Sequence, residues 1–293
     1  MRPRLRALLP RLHLLPALSG ELDQWAEWLV RTRFAGWPEQ EVAAALEQLA
    51  SHRDRVLDGA AVSPGNRLAD VGAGTGLLTL AAVERVGPDG DVLAFDISVD
   101  ALEELRAHAT APNISYFVGS ADVLPLPDAS VDVIVTRSVL IYVDDKTEVA
   151  REFARVLRGG GRVSLFEPIN SRNLMLTDAV DFTPLGELGD RLRALNDELY
   201  ANPGDPMLNF DESDLERSFE AAGLDVAVDL GVDEDELPAE RYLNQVGAPG
   251  RPTVLERWHA AFPPGDVERL VDFVAGRTIP WRVTHAFLTA AKR

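Results

Sequence analysis

Short apolar runs alternate with amphipathic segments along the chain from Ser63 onward. This alternation is typical of βαβ units, in which helices cover both faces of a parallel sheet. A later apolar run at 224–232 and an alternating run at 284–291 predict two further strands, which makes seven. The five earlier strands are predicted at 67–71, 91–96, 114–119, 131–136 and 162–166, with helices at 77–86, 99–108 and 146–157.

The segments outside this alternation predict how the chain is organised. Residues 1–20 hold four arginines and no acidic residue, which predicts a basic arm, with a membrane-surface role as the alternative. Residues 21–62 predict a helical layer, and residues 63–293 predict one α/β domain. Prolines, glycines and an acidic run break the rhythm of that domain, so cap insertions are predicted at 171–210 and 233–278.

Both the helical layer and the insertions leave alternatives open. Aromatic residues on one helical face either pack in a core or form a lid over a pocket. The acidic run at 233–236 predicts a solvated surface, and helices are predicted at 188–199 and 211–223. In the helical layer, the apolar face to which these two alternatives apply consists of Trp25, Trp28, Leu29 and Phe34.

Charge and composition narrow the function. The chain has 47 acidic and 29 basic residues, a net charge of −18, which argues against nucleic acid as a partner because phosphate contacts need a basic face. The absence of cysteine excludes disulfides, thiolate metal sites and a cysteine nucleophile, and a reducing, cytoplasmic location is predicted. No apolar run approaches the roughly 20 residues that cross a bilayer, so no stable membrane insertion is predicted.

A glycine loop follows the first predicted strand, in the segment Ala69-Asp70-Val71-Gly72-Ala73-Gly74-Thr75-Gly76. Glycines at such a position let a ligand approach the backbone closely, and the following helix offers free N–H groups. The dinucleotide fingerprint G-x-G-x-x-G does not fit, because its third glycine would fall on Leu77 or Thr79. The spacing is D-x-G-x-G-x-G, which argues against a nicotinamide cofactor.

Two further aspartates follow the second and third strands. Asp96 comes 24 residues after Gly72, where a carboxylate can accept hydrogen bonds from both hydroxyls of a ribose. Asp122 follows the third strand, where a carboxylate can accept from an adenine amino group. Each aspartate alone is also a common turn or cap residue. Their order on successive strand ends favours a nucleoside site.

On these motifs the sequence resembles the class I S-adenosylmethionine-dependent methyltransferases, and its core is similar to the ubiquinone and menaquinone C-methyltransferases. The resemblance covers residues 63–170 well and implies a Rossmann-like, seven-stranded, mostly parallel sheet with an antiparallel last strand. It implies S-adenosyl-L-methionine as the cofactor. By position it implies a methionine-binding loop that consists of Asp70, Gly72, Ala73, Gly74 and Gly76. It implies that Asp96 is the ribose carboxylate and that Ile97 lies against the adenine. It also implies an adenine-side loop of Ala121, Asp122 and Val123, and a cofactor contact by Ser138 after the fourth strand.

Missing motifs narrow the acceptor. The segment Thr136-Arg137-Ser138-Val139 lacks the Pro-Pro-Tyr signature of amino-methylating DNA enzymes. The arsenite enzymes of this family need thiolates, and this chain has none. The acidic and amide groups near the ends of the fourth and fifth strands, Asp144, Asp145 and Asn170, match no metal-binding spacing, so no metal site is predicted.

Three residues are candidates for catalysis. Tyr142 is predicted either to lie against the methyl group or the substrate, or to be a packing residue without a role in the reaction. Glu167 is a general base, or a polar group that holds the loop before Pro168. His259 is the candidate base among the histidines because insertions cover the pocket in this family. A base is needed only when the acceptor must lose a proton.

The sequence therefore predicts a methyltransferase that acts on a small organic molecule, a natural-product intermediate, with O-methylation ahead of C- or N-methylation. Two alternatives stay open. One is an enzyme of this fold that catalyses a non-methylating reaction such as cyclisation, and the other is a catalytically silent partner protein that binds the cofactor. The sequence also allows a homodimer.

Overall fold

The computed structural model of the chain describes residues 21–293. The chain divides into two compact units. Among the described residues, the first contains residues 21–167 together with Glu212–Asp229 and Ala286–Arg293, and the second contains Pro168–Asp211 and Leu230–His285. The basic arm predicted for residues 1–20 lies outside the described residues.

Within residues 21–293 the strands form a seven-stranded sheet in the order β3-β2-β1-β4-β5-β7-β6. The four pairs among β1 to β5 are parallel. β7 runs antiparallel to β5, since Gly160 N donates to Lys292 O and Ile169 N donates to Thr284 O. The predicted fold class is confirmed. The strands are β1 Arg67–Val71, β2 Asp91–Asp96, β3 Ile114–Val118, β4 Val131–Arg137, β5 Leu157–Pro168, β6 Asp225–Pro238 and β7 Thr278–Ala291.

The helices are divided between the two units. A π turn, Trp28–Thr32, continues the first helix directly, and 3-10 turns lie at Leu140–Tyr142, Asn170–Arg172 and Thr183–Leu185. The first unit contains α1 Gln24–Glu27, α2 Glu39–Gly59, α3 Thr79–Val86, α4 Val99–His108, α5 Lys146–Val156 and α8 Glu212–Ala221. The second contains α6 Leu176–Ala179, α7 Glu187–Tyr200, α9 Ala239–Asn244, α10 Val254–Ala261 and α11 Pro264–Val274.

β1 is central to the sheet and positions the site. Its residues from Leu68 to Val71 are all buried, as expected for a parallel strand covered on both faces. The register pairs Val71 with Phe95 of β2 and with Thr136 of β4. The loops that follow these three strands therefore begin at the same edge of the sheet, where ligands bind in open α/β folds.

Three predicted strand boundaries are wrong. β5 begins at Leu157 rather than at 162, because the glycines at 159–161 pair with the end of β7; Lys292 N donates to Gly161 O at 3.0 Å. β6 continues to Pro238 rather than ending at 232, so the acidic run at 233–236 lies in a strand. Its side chains are mostly exposed, and their charge therefore does not oppose an extended backbone. β7 begins at Thr278 rather than at 284.

The second unit has its own apolar core. Trp258 of α10 is 1% exposed and belongs to a cluster that also contains Leu192 of α7 and Leu270 of α11. The helix predicted at 188–199 is confirmed, since α7 spans Glu187–Tyr200. Throughout the part of the chain that the structure describes, the helices are too short or too polar to cross a membrane.

Candidate functional site

The glycine loop bends sharply where β1 ends. The backbone N–H groups of Gly72 and Ala73 both donate to Phe95 O at 2.8 Å, which turns the loop over the end of β2. Gly72, Gly74 and Gly76 have φ angles of 75°, 51° and 100°, a region that favours glycine. A Cβ on Gly72 would overlap Val139 Cγ2. The glycines are therefore required both by the backbone conformation and by the close approach of the neighbouring loop.

Asp70 places an incompletely satisfied carboxyl group beneath this loop. The side chain is fully buried, and one oxygen, Oδ2, accepts a hydrogen bond from Thr79 Oγ1 at 2.5 Å. The other oxygen, Oδ1, accepts no hydrogen bond from the described residues. Burial, and to a smaller extent the charge of Asp96, raises the pKa of Asp70 to about 7. A donor or cationic group from a ligand would satisfy this carboxylate.

Asp96 links the glycine loop to the end of β2. Its Oδ2 accepts from Gly74 N at 2.7 Å, and its Oδ1 accepts from Ser98 N at 2.8 Å. Burial raises the pKa of Asp96, although both backbone hydrogen bonds act in the opposite direction. The carboxylate is therefore held in one orientation and keeps lone pairs for further donors.

Apolar side chains are exposed beside Asp96. Ile97, Val118 and Val123 are 53%, 59% and 69% exposed. Ile97 follows β2, Val118 is the last residue of β3, and Val123 lies in the loop after it. Gly119 N donates to Asp96 O at 3.0 Å. Asp122 Oδ1 is buried and accepts no hydrogen bond from the described residues. Exposed aliphatic groups beside an unsatisfied acceptor are what a flat heterocycle with an amino group requires.

The segment after β4 is held by Glu167, which is fully buried at the end of β5. Its Oε1 accepts from Val139 N and Leu140 N at 2.9 Å, and its Oε2 accepts from Ile141 N at 3.1 Å. Burial raises the pKa of Glu167 to about 7. This geometry supports the loop-holding alternative for Glu167. Ser138, at the start of the segment, has a φ of 55°.

An N-terminal helix lies against the glycine loop. The ring of Trp25 meets the ring of Tyr142 edge-on, with centroids 4.8 Å apart. Leu29 Cδ1 lies 3.1 Å from the position that a Cβ on Gly74 would occupy. Tyr142 is half-buried, on the 3-10 turn that Glu167 holds. This arrangement supports the lid alternative for Trp25.

Sequence reasoning missed the anchor of this lid. Asp23 caps α1 by accepting from Trp25 N and Ala26 N, and its other oxygen accepts from Ser98 Oγ at 2.7 Å. Asp23 N also donates to Asp100 Oδ2 at 2.7 Å. An acidic residue before a helical run is a recognisable cap signal, but its contacts with residues 98–100 are not local in sequence.

The third candidate for catalysis lies in the other unit. His259 is exposed on α10, beside the buried Trp258. Its role as a base stays a prediction. Within the first unit, the structure brings together the glycine loop, Asp96, the segment after β4 and Tyr142.

The comparisons with known proteins identify the family. A family model described as a methyltransferase domain matches residues 69–165. The ubiquinone/menaquinone biosynthesis C-methyltransferase UbiE of Hahella chejuensis is 33% identical over 176 residues, which are 57% of this chain and 70% of that protein. The chain belongs to the class I S-adenosylmethionine-dependent methyltransferases. The predicted family, enzyme class and cofactor are thereby confirmed.

Further relatives of this methyltransferase match less of their own length or share only its fold. The arsenite methyltransferase of Halobacterium salinarum is 32% identical over 115 residues, 38% of this chain and 29% of that protein. The YcgJ protein of Bacillus subtilis has a TM-score of 0.54 at 19% identity and covers 83% of this chain and 98% of its own. The [4+2]-cyclase SpnF has a TM-score of 0.51 at 18% identity, and the match covers 99% of this chain and 92% of SpnF. These two structures support the fold alone.

The residues of the methyltransferase fit S-adenosylmethionine. The cofactor offers an ammonium group, two ribose hydroxyls and an adenine amino group. The site offers an unsatisfied oxygen on Asp70, an oriented carboxylate on Asp96 and an unsatisfied oxygen on Asp122. A Cβ on Gly72 or Gly76 would overlap Val139 or Leu105, so the loop keeps this course beside the carboxylates only with glycine at those positions.

Proposed function

We propose that this methyltransferase methylates a small organic molecule, a natural-product intermediate, on oxygen. The observation that carries the proposal is the cofactor site, whose polar groups are oriented and partly unsatisfied, with an aromatic lid at its edge. The quinone-pathway relatives are named for C-methylation, so carbon is the alternative position that product analysis must separate. Arsenite is not proposed because the chain has no cysteine.

In this proposal the glycine loop holds the amino-acid end of the cofactor. Gly72, Ala73, Gly74 and Gly76 provide close backbone approach, and Asp70 accepts a hydrogen bond from the ammonium group. Ser138 meets the same end from the segment after β4. A buried carboxylate with an unsatisfied oxygen gains a partner when a cation binds, which favours binding.

The nucleoside part of the cofactor lies over the ends of β2 and β3. Asp96 accepts hydrogen bonds from the ribose hydroxyls, and Ile97 packs against the adenine. Ala121, Asp122 and Val123 form the adenine side, with Asp122 Oδ1 as the acceptor for the amino group. The exposed aliphatic groups then become buried, which contributes the apolar part of the affinity.

S-adenosylmethionine supplies an already activated methyl group when it is bound, so the chain has to align the acceptor and exclude water. Trp25 and Tyr142 form the edge of the site where an acceptor approaches. Tyr142 touches the acceptor in this proposal. Glu167 positions Tyr142 through the loop at 139–141 rather than by taking a proton. His259 is the proposed base for acceptors that must lose one.

Calorimetry tests the cofactor site. Binding of S-adenosylmethionine, S-adenosylhomocysteine and NADH is measured with the wild type, Asp96→Ala and the control Asp91→Ala, which alters the exposed first residue of the same strand. We expect micromolar binding of the first two ligands, about tenfold weaker binding or more in Asp96→Ala, and unchanged binding in Asp91→Ala. Tighter binding of NADH, or no binding of either sulfur ligand, would contradict the proposal.

Product analysis then tests the chemistry. The enzyme is incubated with methyl-¹³C S-adenosylmethionine and panels of phenols, alcohols and carbon acids. A methyl carbon shift typical of a methoxy group supports O-methylation, and one typical of a carbon-bound methyl supports the alternative. Acceptor conversion without release of S-adenosylhomocysteine would indicate a non-methylating enzyme, and cofactor binding without conversion of any acceptor would indicate a silent partner protein. The cytoplasmic location and the homodimer stay predictions.

A further inference from the structure

The loop between β3 and β4, residues 119–130, is attached to the rest of the first unit at two points. At its start, Gly119 N donates to Asp96 O at 3.0 Å, which ties the loop to the end of β2. Further along, Leu124 is hydrogen-bonded to side chains of α5. Residues 120–123 lie between these attachments, so their course over the end of the sheet depends on both.

Two side chains of α5 hold the backbone of Leu124. Leu124 N donates to Glu152 Oε1 at 2.6 Å. Arg155 lies one turn later on the same helix, and its Nη2 donates to Leu124 O at 3.1 Å. The peptide groups on both sides of Leu124 are therefore held by one helix, and the orientation of Val123 just before them is restricted.

The same two side chains also hold each other. Arg155 Nε donates to Glu152 Oε2, and its Nη2 donates to Glu152 Oε1, both at 2.7 Å. The remaining Nη1 donates to Leu126 O at 2.8 Å and to Asp128 Oδ1 at 2.7 Å. Every N–H group of the guanidinium thereby has an acceptor, and all of these acceptors belong to Glu152 or to the loop. The hydrogen bonds from Arg155 lower the pKa of Glu152, which keeps its carboxylate ionised at neutral pH.

The exposure of this pair indicates what it does. The side chains of Glu152 and Arg155 are 11% and 35% exposed. An ion pair that is this accessible to water contributes little to stability by its charge alone. A two-pronged pair does add geometric precision, because it allows only one arrangement of the two groups. The pair is therefore suited to fixing the position of the loop.

The position of the loop matters because of Asp122, two residues before Leu124. Its Oδ1 is buried and accepts no hydrogen bond from the described residues. A fixed acceptor of this kind favours a ligand that brings a donor and rejects an analogue that lacks one. That selectivity requires supporting residues that keep the acceptor from turning away.

We infer that Glu152 and Arg155 are positioning residues for adenine recognition. By holding Leu124 they keep Asp122 in the orientation that selects a base with an amino group over one with a carbonyl group. Neither side chain touches the cofactor in this inference. It rests on the proposed function, which places the adenine beside Ala121, Asp122 and Val123.

Calorimetry with two ligands tests the inference. The ligands are S-adenosylhomocysteine and S-inosylhomocysteine, in which a carbonyl group replaces the adenine amino group, and the ratio of their Kd values is measured. The proteins are the wild type, Asp122→Ala, Arg155→Met, Arg155→Lys and the control Arg158→Met. Arg158 is a matched control because it holds the other end of the same loop, through Ala129 O at 3.4 Å and Asp132 Oδ1 at 2.8 Å.

The wild type should bind S-adenosylhomocysteine about tenfold or more tightly than the inosine analogue. Asp122→Ala should bring the ratio close to one, and so should Arg155→Met and Glu152→Ala. Arg155→Lys should give an intermediate ratio, because an ammonium group has three donors in place of the five of a guanidinium. Arg158→Met should keep the ratio of the wild type.

A wild-type ratio in Arg155→Met and Glu152→Ala, together with its loss in Asp122→Ala, would overturn the inference and leave the proposed function standing. A lower Tm with an unchanged ratio would overturn it too, because the pair would then serve stability alone. The same loss in Arg158→Met as in Arg155→Met would overturn it as general damage to the loop. If Arg155→Met does not fold, an unchanged ratio in Arg155→Lys decides against the inference. Equal binding of both ligands by the wild type would instead show that the proposed adenine site is wrong, and the inference would fall with it.

Discussion

Asp70→Asn should make the ligand-free protein more stable above neutral pH. The pKa of Asp70 rises from its ordinary value of 3.8 to about 7 in the folded state. Between these values the folded state binds more protons than the unfolded state, so the Asp70 contribution to stability falls as the pH rises. From pH 5 to pH 8 that fall amounts to about 2.5 kcal/mol, at 1.36 kcal/mol per pKa unit. Asparagine has no charge to bury and does not contribute this fall.

The assay is urea unfolding of the wild type and Asp70→Asn from pH 5 to pH 8. The difference in unfolding free energy between the two proteins should move in favour of the variant by about 2.5 kcal/mol as the pH rises. Comparing the two proteins isolates Asp70, because Asp96 and Glu167 are also buried acids with raised pKa values and remain in both.

Cofactor affinity gives the opposite trend. An ammonium group binds the ionised form of Asp70, so S-adenosylhomocysteine should bind the wild type about tenfold more tightly at pH 8 than at pH 6. Asp70→Asn should bind it weakly and with little pH dependence. A stability difference that does not change with pH, together with unchanged affinity for S-adenosylhomocysteine, would refute the assignment of a buried, unsatisfied carboxylate.

Three further substitutions test the loops around this carboxylate. Glu167→Gln replaces one acceptor oxygen by an amide group, so the backbone at 139–141 loses at least one hydrogen bond, and urea unfolding should show a loss of about 1–3 kcal/mol. Gly72→Ala should abolish S-adenosylhomocysteine binding in calorimetry, whereas the control Gly65→Ala, with a similar φ but open space around it, should bind normally. Asp23→Ala removes the helix cap, about 1 kcal/mol, and should speed S-adenosylhomocysteine dissociation in stopped-flow fluorescence. Unchanged unfolding of Glu167→Gln, unchanged S-adenosylhomocysteine binding by Gly72→Ala, or unchanged dissociation from Asp23→Ala would contradict the corresponding prediction.

The parts of the site that depend on local sequence could be predicted. β1, β2 and α4 lie where the apolar pattern placed them, because each is a short periodic segment between turn residues. The glycine loop and Asp96 were placed at neighbouring strand ends from their spacing and order alone. Parallel pairing places the carboxyl ends of neighbouring strands at the same edge of the sheet. The cofactor-binding part of the site could therefore be predicted from the sequence.

The parts that depend on distant contacts could not be predicted. Asp23 and Ser98 are 75 residues apart, and no periodicity joins them. The role of Glu167 depends on backbone N–H groups 26–28 residues earlier, which carry no sequence signal. The strand at 233–236 was missed because charged side chains on an exposed strand resemble a loop.

Because the π turn at Trp28–Thr32 lies within the helix that forms the lid, the orientation of the lid depends on the number of residues in that helix. Its hydrogen bonds span five residues, as in Arg33 N to Trp28 O at 2.9 Å. Removing one residue would restore the α-helical pattern and turn everything after the deletion by about 100° relative to α1. A deletion before Leu29 would therefore turn its side chain away from the glycine loop. In this chain a one-residue deletion in the first helix would therefore rearrange the lid by rotation, while the glycine loop and its aspartates stay the same.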